Sequence, residues 1–192
     1  MSSNKWAKNV ILVDAVFLDK MGYIFRSNYE RLLKRDVNKA DLAIWLESAM
    51  LDGGLRVGDN TVQVVVLFDE NAEGFDNFLP SDFNKELNGK GFKGPLGEFR
   101  LAAFPAFSKV VSLKSFFLQT LENILQAEEV ERLVVVGDDE ECGEEIADHL
   151  TKNPDKKVTI LTTAPIKGEG FKQDLLGYSL TRALGISPDE MQ

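Results

Sequence analysis

Five short runs of aliphatic, largely β-branched residues recur along the chain, and longer segments with helical periodicity separate them. The runs are NVILVDAVFL (9–18), TVQVVVLFDE (61–70), EFRLAAFP (98–105), ERLVVVG (131–137) and KKVTILTTA (156–164). A continuous apolar run of this length is typical of a strand whose two faces are both buried, as in parallel sheets. The regular alternation of such strands with helices predicts an α/β domain.

The segments between the runs place apolar residues three and four positions apart, which predicts amphipathic helices. These segments span 21–35, 38–54, 112–130, 140–150 and 170–186, and a shorter helix is expected at 81–87. Asn38 is expected to cap the second helix, with Asp41 at the capping-box position. Ser112 is expected to cap the helix that it begins. The glycine-rich stretch 88–97 predicts a turn, and the role of the whole 71–97 segment stays open.

These elements predict a single domain, 1–192, in three layers: a mostly parallel five-stranded sheet with helices on both faces. Right-handed crossovers restrict the topology, and the strand order 3-2-1-4-5 is expected. In such a sheet, sites form beyond the carboxyl ends of the strands, where the winding direction reverses. That reversal is expected between the first and fourth strands.

The composition limits the partners that the chain can attract. Its 192 residues carry a formal net charge of -9 and a pI near 4.7. An acidic chain is a poor generic binder of nucleic acids and anionic membranes. No apolar run is long enough to cross a bilayer and the N-terminus does not resemble a signal peptide. A cytoplasmic location without a membrane partner is therefore expected.

Acidic residues stand at or near the ends of three of the predicted strands. Asp14 lies near the end of the first strand, Asp69 near the end of the second, and Asp138 directly after the fourth. In the predicted order these strands are neighbours, so the carboxylates are expected at one edge of the sheet. Carboxylate oxygens are ligands that Mg²⁺ prefers, and a bound metal can activate water for phosphoryl chemistry.

The acids after the fourth strand also have a purely structural explanation. Asp138, Asp139, Glu140 and Glu141 open a predicted helix, and acids in a first turn interact favourably with the helix dipole. Asp138 is moreover expected to cap that helix. Asp14 differs, because a carboxylate in an otherwise apolar strand is costly to bury without a partner, which favours a functional role.

Other catalytic arrangements find little support. His149 is the only histidine, falls late in a helix, and is accompanied by no nucleophile elbow. Cys142, the only cysteine, stands beside four acids that disfavour a thiolate, and is expected to be a small structural residue. Neither a zinc-ligand spacing nor a glycine loop between a strand and a helix is present.

The strand NVILVDAVFL with the later VERLVVVGDDEECGEEIADHL and KKVTIL resembles the NYN branch of the PIN-like nucleases. The resemblance implies a PIN-like fold and a ribonuclease that uses Mg²⁺ or Mn²⁺. Asp14 matches the acid of the first strand, Asp138 the first acid of the late turn, and Glu140 its second acid. Asp69 is a further candidate metal ligand. The whole chain also looks like an uncharacterised Bacteroidetes family placed near that group.

The chain departs from the NYN pattern at two places. Phe17 stands where that family has an asparagine, and the segment KVVSLKSFFLQTL (109–121) lacks the acids expected before the late strand. Three hypotheses follow. The first is a degenerate acidic site with a binding or scaffold role, as a homo-oligomer or with a protein partner. The others are a Mg²⁺-dependent ribonuclease acting on RNA, and a nucleotide-binding or small-molecule-binding protein. Whether the chain is an enzyme stays open.

Overall fold

The structure, a computed structural model, describes residues 5–192 and contains nine strands in two sheets. The strands are β1 (Asn9–Asp14), β2 (Ala40–Asp41), β3 (Asn60–Asp69), β4 (Phe78–Leu79), β5 (Gly91–Gly94), β6 (Gly97–Ala106), β7 (Arg132–Val136), β8 (Lys157–Thr162) and β9 (Lys172–Leu175). β2 and β4 form a separate two-stranded sheet.

Five α-helices connect and cover the strands. They are α1 (Ala15–Leu33), α2 (Leu42–Asp52), α3 (Leu113–Gln126), α4 (Asp139–Thr151) and α5 (Leu176–Ala183), with a π-helix at Phe83–Leu87 and a 3-10 helix at Pro188–Met191. Among the residues that the structure describes, no helix has the length and apolar character needed to cross a membrane.

The main sheet has seven strands in the order β5-β6-β3-β1-β7-β8-β9. Only β5 is antiparallel to its neighbour, so the α/β class and the mostly parallel sheet are confirmed. The prediction of a five-stranded sheet is wrong, because β5 and β9 extend the sheet at its two edges. The strands between them lie in the order β6-β3-β1-β7-β8.

The two missed strands of the main sheet have sequences without an aliphatic run. β5 is GFKG, within the stretch predicted to be a turn, and β9 is KQDL, within the segment predicted to be the closing helix. Three of the four residues of β9 are exposed. An edge strand needs to bury little, so hydrophobic periodicity carries almost no signal for it.

Helices cover both faces of the sheet, and the side chains of β1 alternate between two separate cores. Ile11 and Val13 pack with α1, α2 and α5 on one face. Val10 and Leu12 pack with α3 and α4 on the other. All four side chains are at most 1% exposed, so β1 is the central strand of a three-layer arrangement.

Three helices, α1, α2 and α5, begin about three to six residues away from where the sequence pattern placed them. The apolar run 9–18 divides after Asp14: β1 ends at Asp14, and α1 starts at Ala15 rather than near Met21. A short apolar run does not distinguish a buried strand from a buried helix turn. Asp41, rather than Asn38, caps α2, and Ser112 caps α3 as expected.

The 71–97 segment packs against the sheet through aromatic side chains. Phe83 stacks on Phe68 of β3 with ring centroids 4.4 Å apart, and Phe75 contacts Phe83 edge-on at 5.0 Å. Phe78 is fully buried, and its ring centroid lies 6.2 Å from the ring centroid of Trp45 of α2. This irregular segment therefore belongs to the core beneath α1 and α2.

Leu12 and Leu32 offer a matched test of this core. Leu12 is fully buried in β1, whereas Leu32 is 68% exposed on α1. We expect Leu12→Ala to lower the free energy of unfolding by about 2–5 kcal/mol, because it removes transfer energy and leaves a cavity. Leu32→Ala should change it by less than about 0.5 kcal/mol. Urea denaturation measures both, and equal effects would contradict the placement of β1 at the centre.

Candidate functional site

Asp14 and Asp138 lie at the carboxyl edge of the sheet, where the chain direction reverses. β1 and β7 are parallel neighbours, with Val13 opposite Val136, so the two acids follow adjacent strand ends. α1 then leaves β1 over one face, while α4 leaves β7 over the other. The register confirms that β1 and β7 are neighbours. That the two acids meet there to form a site stays a prediction.

Asp14 caps the helix that begins immediately after it. Its Oδ1 accepts a hydrogen bond from the backbone N–H of Phe17 at 3.1 Å. The residue is only 8% exposed, and its backbone is extended, as is usual at an N-cap. The carboxylate thus satisfies a backbone donor that would otherwise be unpaired at the start of α1.

Asp138 has the same local role at the start of α4. Its Oδ1 accepts the backbone N–H of Glu141 at 3.1 Å, and its backbone is again extended. The structural explanation of the first acid after β7 is therefore confirmed. Asp14 and Asp138 thus each use one carboxylate oxygen to accept a backbone N–H at the start of a helix.

The pKa of Asp14 is raised to about 6, chiefly because burial disfavours the charged carboxylate. Hydrogen bonds from the backbones of Phe17 and Val16 oppose this shift, and the negative charges of Asp138 and Glu141 add to it. Asp14 therefore lies close enough to Asp138 and Glu141 for their charges to interact. A carboxylate with a pKa near 6 is in part protonated at mildly acidic pH.

Glu140 and Asp69 have separate surroundings. Glu140 is exposed in the first turn of α4. Asp69 ends β3, and its Oδ1 accepts the N–H of Asn71 at 2.9 Å, which stabilises a turn. Leu67 lies opposite Asp14 in the register, so Asp69 sits two residues further along its strand.

The predicted metal site needs these acids to converge. Within residues 5–192, no group of three or more His, Cys, Asp or Glu side chains has an arrangement that could hold a metal ion. A site built from Asp14, Asp138, Glu140 and Asp69 with Mg²⁺ or Mn²⁺ stays a prediction.

Asp139 has a role that the sequence did not reveal. Its Oδ2 accepts hydrogen bonds from the backbone N–H of Thr163 at 2.9 Å and from the hydroxyl of Thr163 at 2.8 Å. These contacts join the first turn of α4 to the segment after β8. No sequence pattern marks this acid, because its partner Thr163 lies after the next strand in the chain.

Cys142 is a buried free cysteine, in agreement with the structural role expected for it. Its thiol donates to the backbone carbonyl of Asp138, with 3.1 Å between Sγ and O. Burial raises the pKa of the thiol to about 12, and the charges of Asp138 and Asp14 act in the same direction. The residue is therefore a thiol rather than a nucleophilic thiolate at neutral pH.

A cavity of about 990 Å³ opens at the amino edge of the sheet, which is opposite to the edge that carries Asp14 and Asp138. The starts of β1, β3, β7 and β8 border it, together with the loops that follow α2, α3 and α4. Its charged lining comprises five basic and three acidic side chains: Lys8, Arg56, Arg132, Lys156, Lys157, Glu128, Glu131 and Asp155. We call this cavity the amino-edge groove.

The amino-edge groove was missed because its residues are scattered along the chain and none belongs to a motif. Lys156 and Lys157 stand out in sequence, but only the fold brings them to Arg56 and Arg132. The single available signal was the position of basic residues at strand starts. Cations are favoured there because the preceding helices end at that edge.

Asp14→Asn tests the electrostatic description of the carboxyl edge. Because the pKa of Asp14 is raised in the folded protein, its protonation stabilises the fold, and this stability is lost as pH rises from about 4 through 6. The loss amounts to roughly 3 kcal/mol at most. Asn keeps an oxygen for the N–H of Phe17 but carries no charge, so this part of the pH dependence should disappear.

Chemical denaturation at several pH values between 4 and 8 measures the effect. Asp41→Asn makes the same change at an exposed cap, where Oδ1 accepts the N–H of Ile44 at 3.0 Å, and provides the control. A pH profile for Asp14→Asn that is parallel to the wild-type profile would show that burial does not perturb Asp14.

Comparison with known proteins corrects the family resemblance. Neither a curated protein nor a solved structure matches the chain. The resemblance to the NYN branch of the PIN-like nucleases is wrong, as is the placement near that group, because the family model that matches is a different one. Shared element order and acids at two strand ends recur in many α/β folds and do not specify a family. The model described as "Family of unknown function (DUF6621)" matches residues 3–191, and the chain belongs to that family.

Proposed function

We propose that this protein is a non-catalytic ligand-binding protein. The observation that carries the proposal is the use of Asp14 and Asp138 as helix caps. Carboxylate oxygens that bind Mg²⁺ must face the ion, and capping leaves each of these acids only Oδ2 for that purpose. Here the two acids brought together by the register each hold a backbone N–H, which gives them a sufficient structural reason to be present.

The amino-edge groove supports binding of a ligand. Its volume of about 990 Å³ is at the upper end of the range for small-molecule sites. It lies between loops on a rigid sheet, which is a usual position for a binding site. A nucleotide or another small molecule therefore fits the proposal better at this edge than at the acidic edge.

A scaffold role, as a homo-oligomer or with a protein partner, is the second candidate. Phe104, Phe107 and Val110 follow one another at the end of β6 and beyond it, and they are 46%, 55% and 84% exposed. Exposed apolar side chains that occur together are a feature of contact surfaces. Sedimentation of the purified chain distinguishes this role, because a strictly monomeric protein would count against self-association.

The competing hypothesis is a Mg²⁺-dependent ribonuclease at the carboxyl edge. We expect no cleavage of single-stranded RNA by the wild-type protein in Mg²⁺ or Mn²⁺ above the level of Asp14→Asn. Because that variant retains the cap acceptor, it is a folded control. Metal-dependent cleavage that Asp14→Asn abolishes would refute the non-catalytic proposal.

Metal binding can be measured without a substrate. A ligand that binds only the folded state raises the unfolding midpoint. We expect Mg²⁺ and Mn²⁺ to shift the midpoint no more than NaCl of matched ionic strength, and no more in wild type than in Asp138→Asn. A shift specific to Mn²⁺ that Asp138→Asn removes would place an ion at the acidic edge.

A further inference from the structure

Two of the five basic groups of the amino-edge groove lie deeper than its three acidic groups. Arg132 and Lys156 are half-buried, whereas Glu128, Glu131 and Asp155 are exposed to solvent. Charges that are partly removed from water interact more strongly than charges that are fully solvated. The interior of the groove is therefore positive, although the chain as a whole carries a net charge of -9.

Arg132 is held in a fixed orientation at the floor of the groove. Its Nη1 donates a hydrogen bond to the carbonyl of Gly53, just after α2. Gly54, at φ +87°, leaves space for the guanidinium, since a Cβ there would lie 2.8 Å from Nη1. A guanidinium fixed in this way loses little conformational entropy when it binds a further group.

Arg132 keeps hydrogen-bond donors for a ligand. A guanidinium has five N–H donors, and among the described residues only Nη1 has a protein acceptor. Lys156 has fewer free donors, because its Nζ already donates hydrogen bonds to the carbonyls of Ala127 and Val130. Arg132 is thus the principal candidate for contact with a ligand, and Lys156 adds charge while it fixes the loop after α3.

Three further cations surround this floor. Arg56 and Lys157 are exposed, and their side chains form no hydrogen bond or ion pair with the part of the chain that the structure describes. Lys8 is exposed as well and lies 3.9 Å from Glu131, too far for a strong pair. An anion in the groove would meet the hydrogen-bonded guanidinium of Arg132 at the floor and exposed cations around it.

We propose that the amino-edge groove binds a small, multiply charged anion whose phosphate or carboxylate oxygens contact Arg132, Arg56 and Lys157. This inference rests on the proposed ligand-binding function and names the ligand class. The planar fork of an arginine matches both phosphate and carboxylate oxygens. A small anion fits better than a polynucleotide, because the net negative charge of the chain repels a long polyanion.

Calorimetric titration of the full chain with pyrophosphate, ATP and citrate tests the proposal. We expect at least one of these anions to bind, with an affinity that falls as NaCl is added because salt screens the interaction. ATP and pyrophosphate distinguish a phosphate ligand from the carboxylate ligand represented by citrate. Failure of all three to bind the wild-type protein at low salt would overturn the proposal.

Charge reversals at the rim locate the site. Arg56→Glu with Lys157→Glu should weaken binding about tenfold or more, since hydrogen bonds to charged groups are lost and repulsion is added. Neither side chain has a partner among residues 5–192, so the fold should be retained. Lys109→Glu makes the same change on an exposed loop at the other edge of the sheet and should leave affinity within about twofold. Equal affinities in all variants would overturn the proposal.

Arg132→Gln tests the floor and should weaken binding even where the rim is intact. It also removes the contact with Gly53, so its unfolding midpoint is measured in parallel, and the rim variants decide the matter if it unfolds. Tighter binding of single-stranded RNA than of ATP, lost in the same rim variants, would overturn the small-anion assignment. Release of phosphate from ATP would instead contradict the non-catalytic function while leaving the groove in place.

Discussion

The need to bury β1 on both faces is the constraint on which the rest of the structure depends. β1 lies in the middle of the sheet between β3 and β7, and its side chains alternate between two cores. A parallel strand requires a crossover to reach its neighbour, and these crossovers supply the helices that cover the two faces. Helix starts consequently gather at the carboxyl edge of the sheet and helix ends at the amino edge.

This arrangement gives the two edges opposite electrostatic preferences. The partial positive charge of helix starts favours acids, and the partial negative charge of helix ends favours bases. Asp14 and Asp138 cap helices at one edge, whereas Arg132 and Lys156 bind carbonyls near helix ends at the other. An acidic cluster and a basic groove on one small protein thus have a common origin. Because the fold itself favours acids at the carboxyl edge, their presence there is weaker evidence for catalysis.

The sequence was informative where a residue's environment is local or fully apolar. The aliphatic runs located the central strands, and Ser112 and Asp138 were identified as caps because capping needs only a nearby backbone N–H. The edge strand β9 was missed, since an exposed strand pairs through its backbone and leaves no side-chain pattern. Arg132 was missed for a different reason: its partners come from a loop far away in the chain.

The central position of β1 also has a consequence for how the chain folds during synthesis. β1 leaves the ribosome before both strands that it pairs with, since the residues that pair with Val13 are Val66 and Val136. Contacts between residues so far apart in the chain slow folding, because the entropy of the intervening loops is lost before the strand pairing adds any stability. Until β7 has been made, one edge of an apolar strand stays without its partner and is a hazard for aggregation. Because the order of synthesis differs from the order of the strands in the sheet, the unfinished chain exposes one edge of β1.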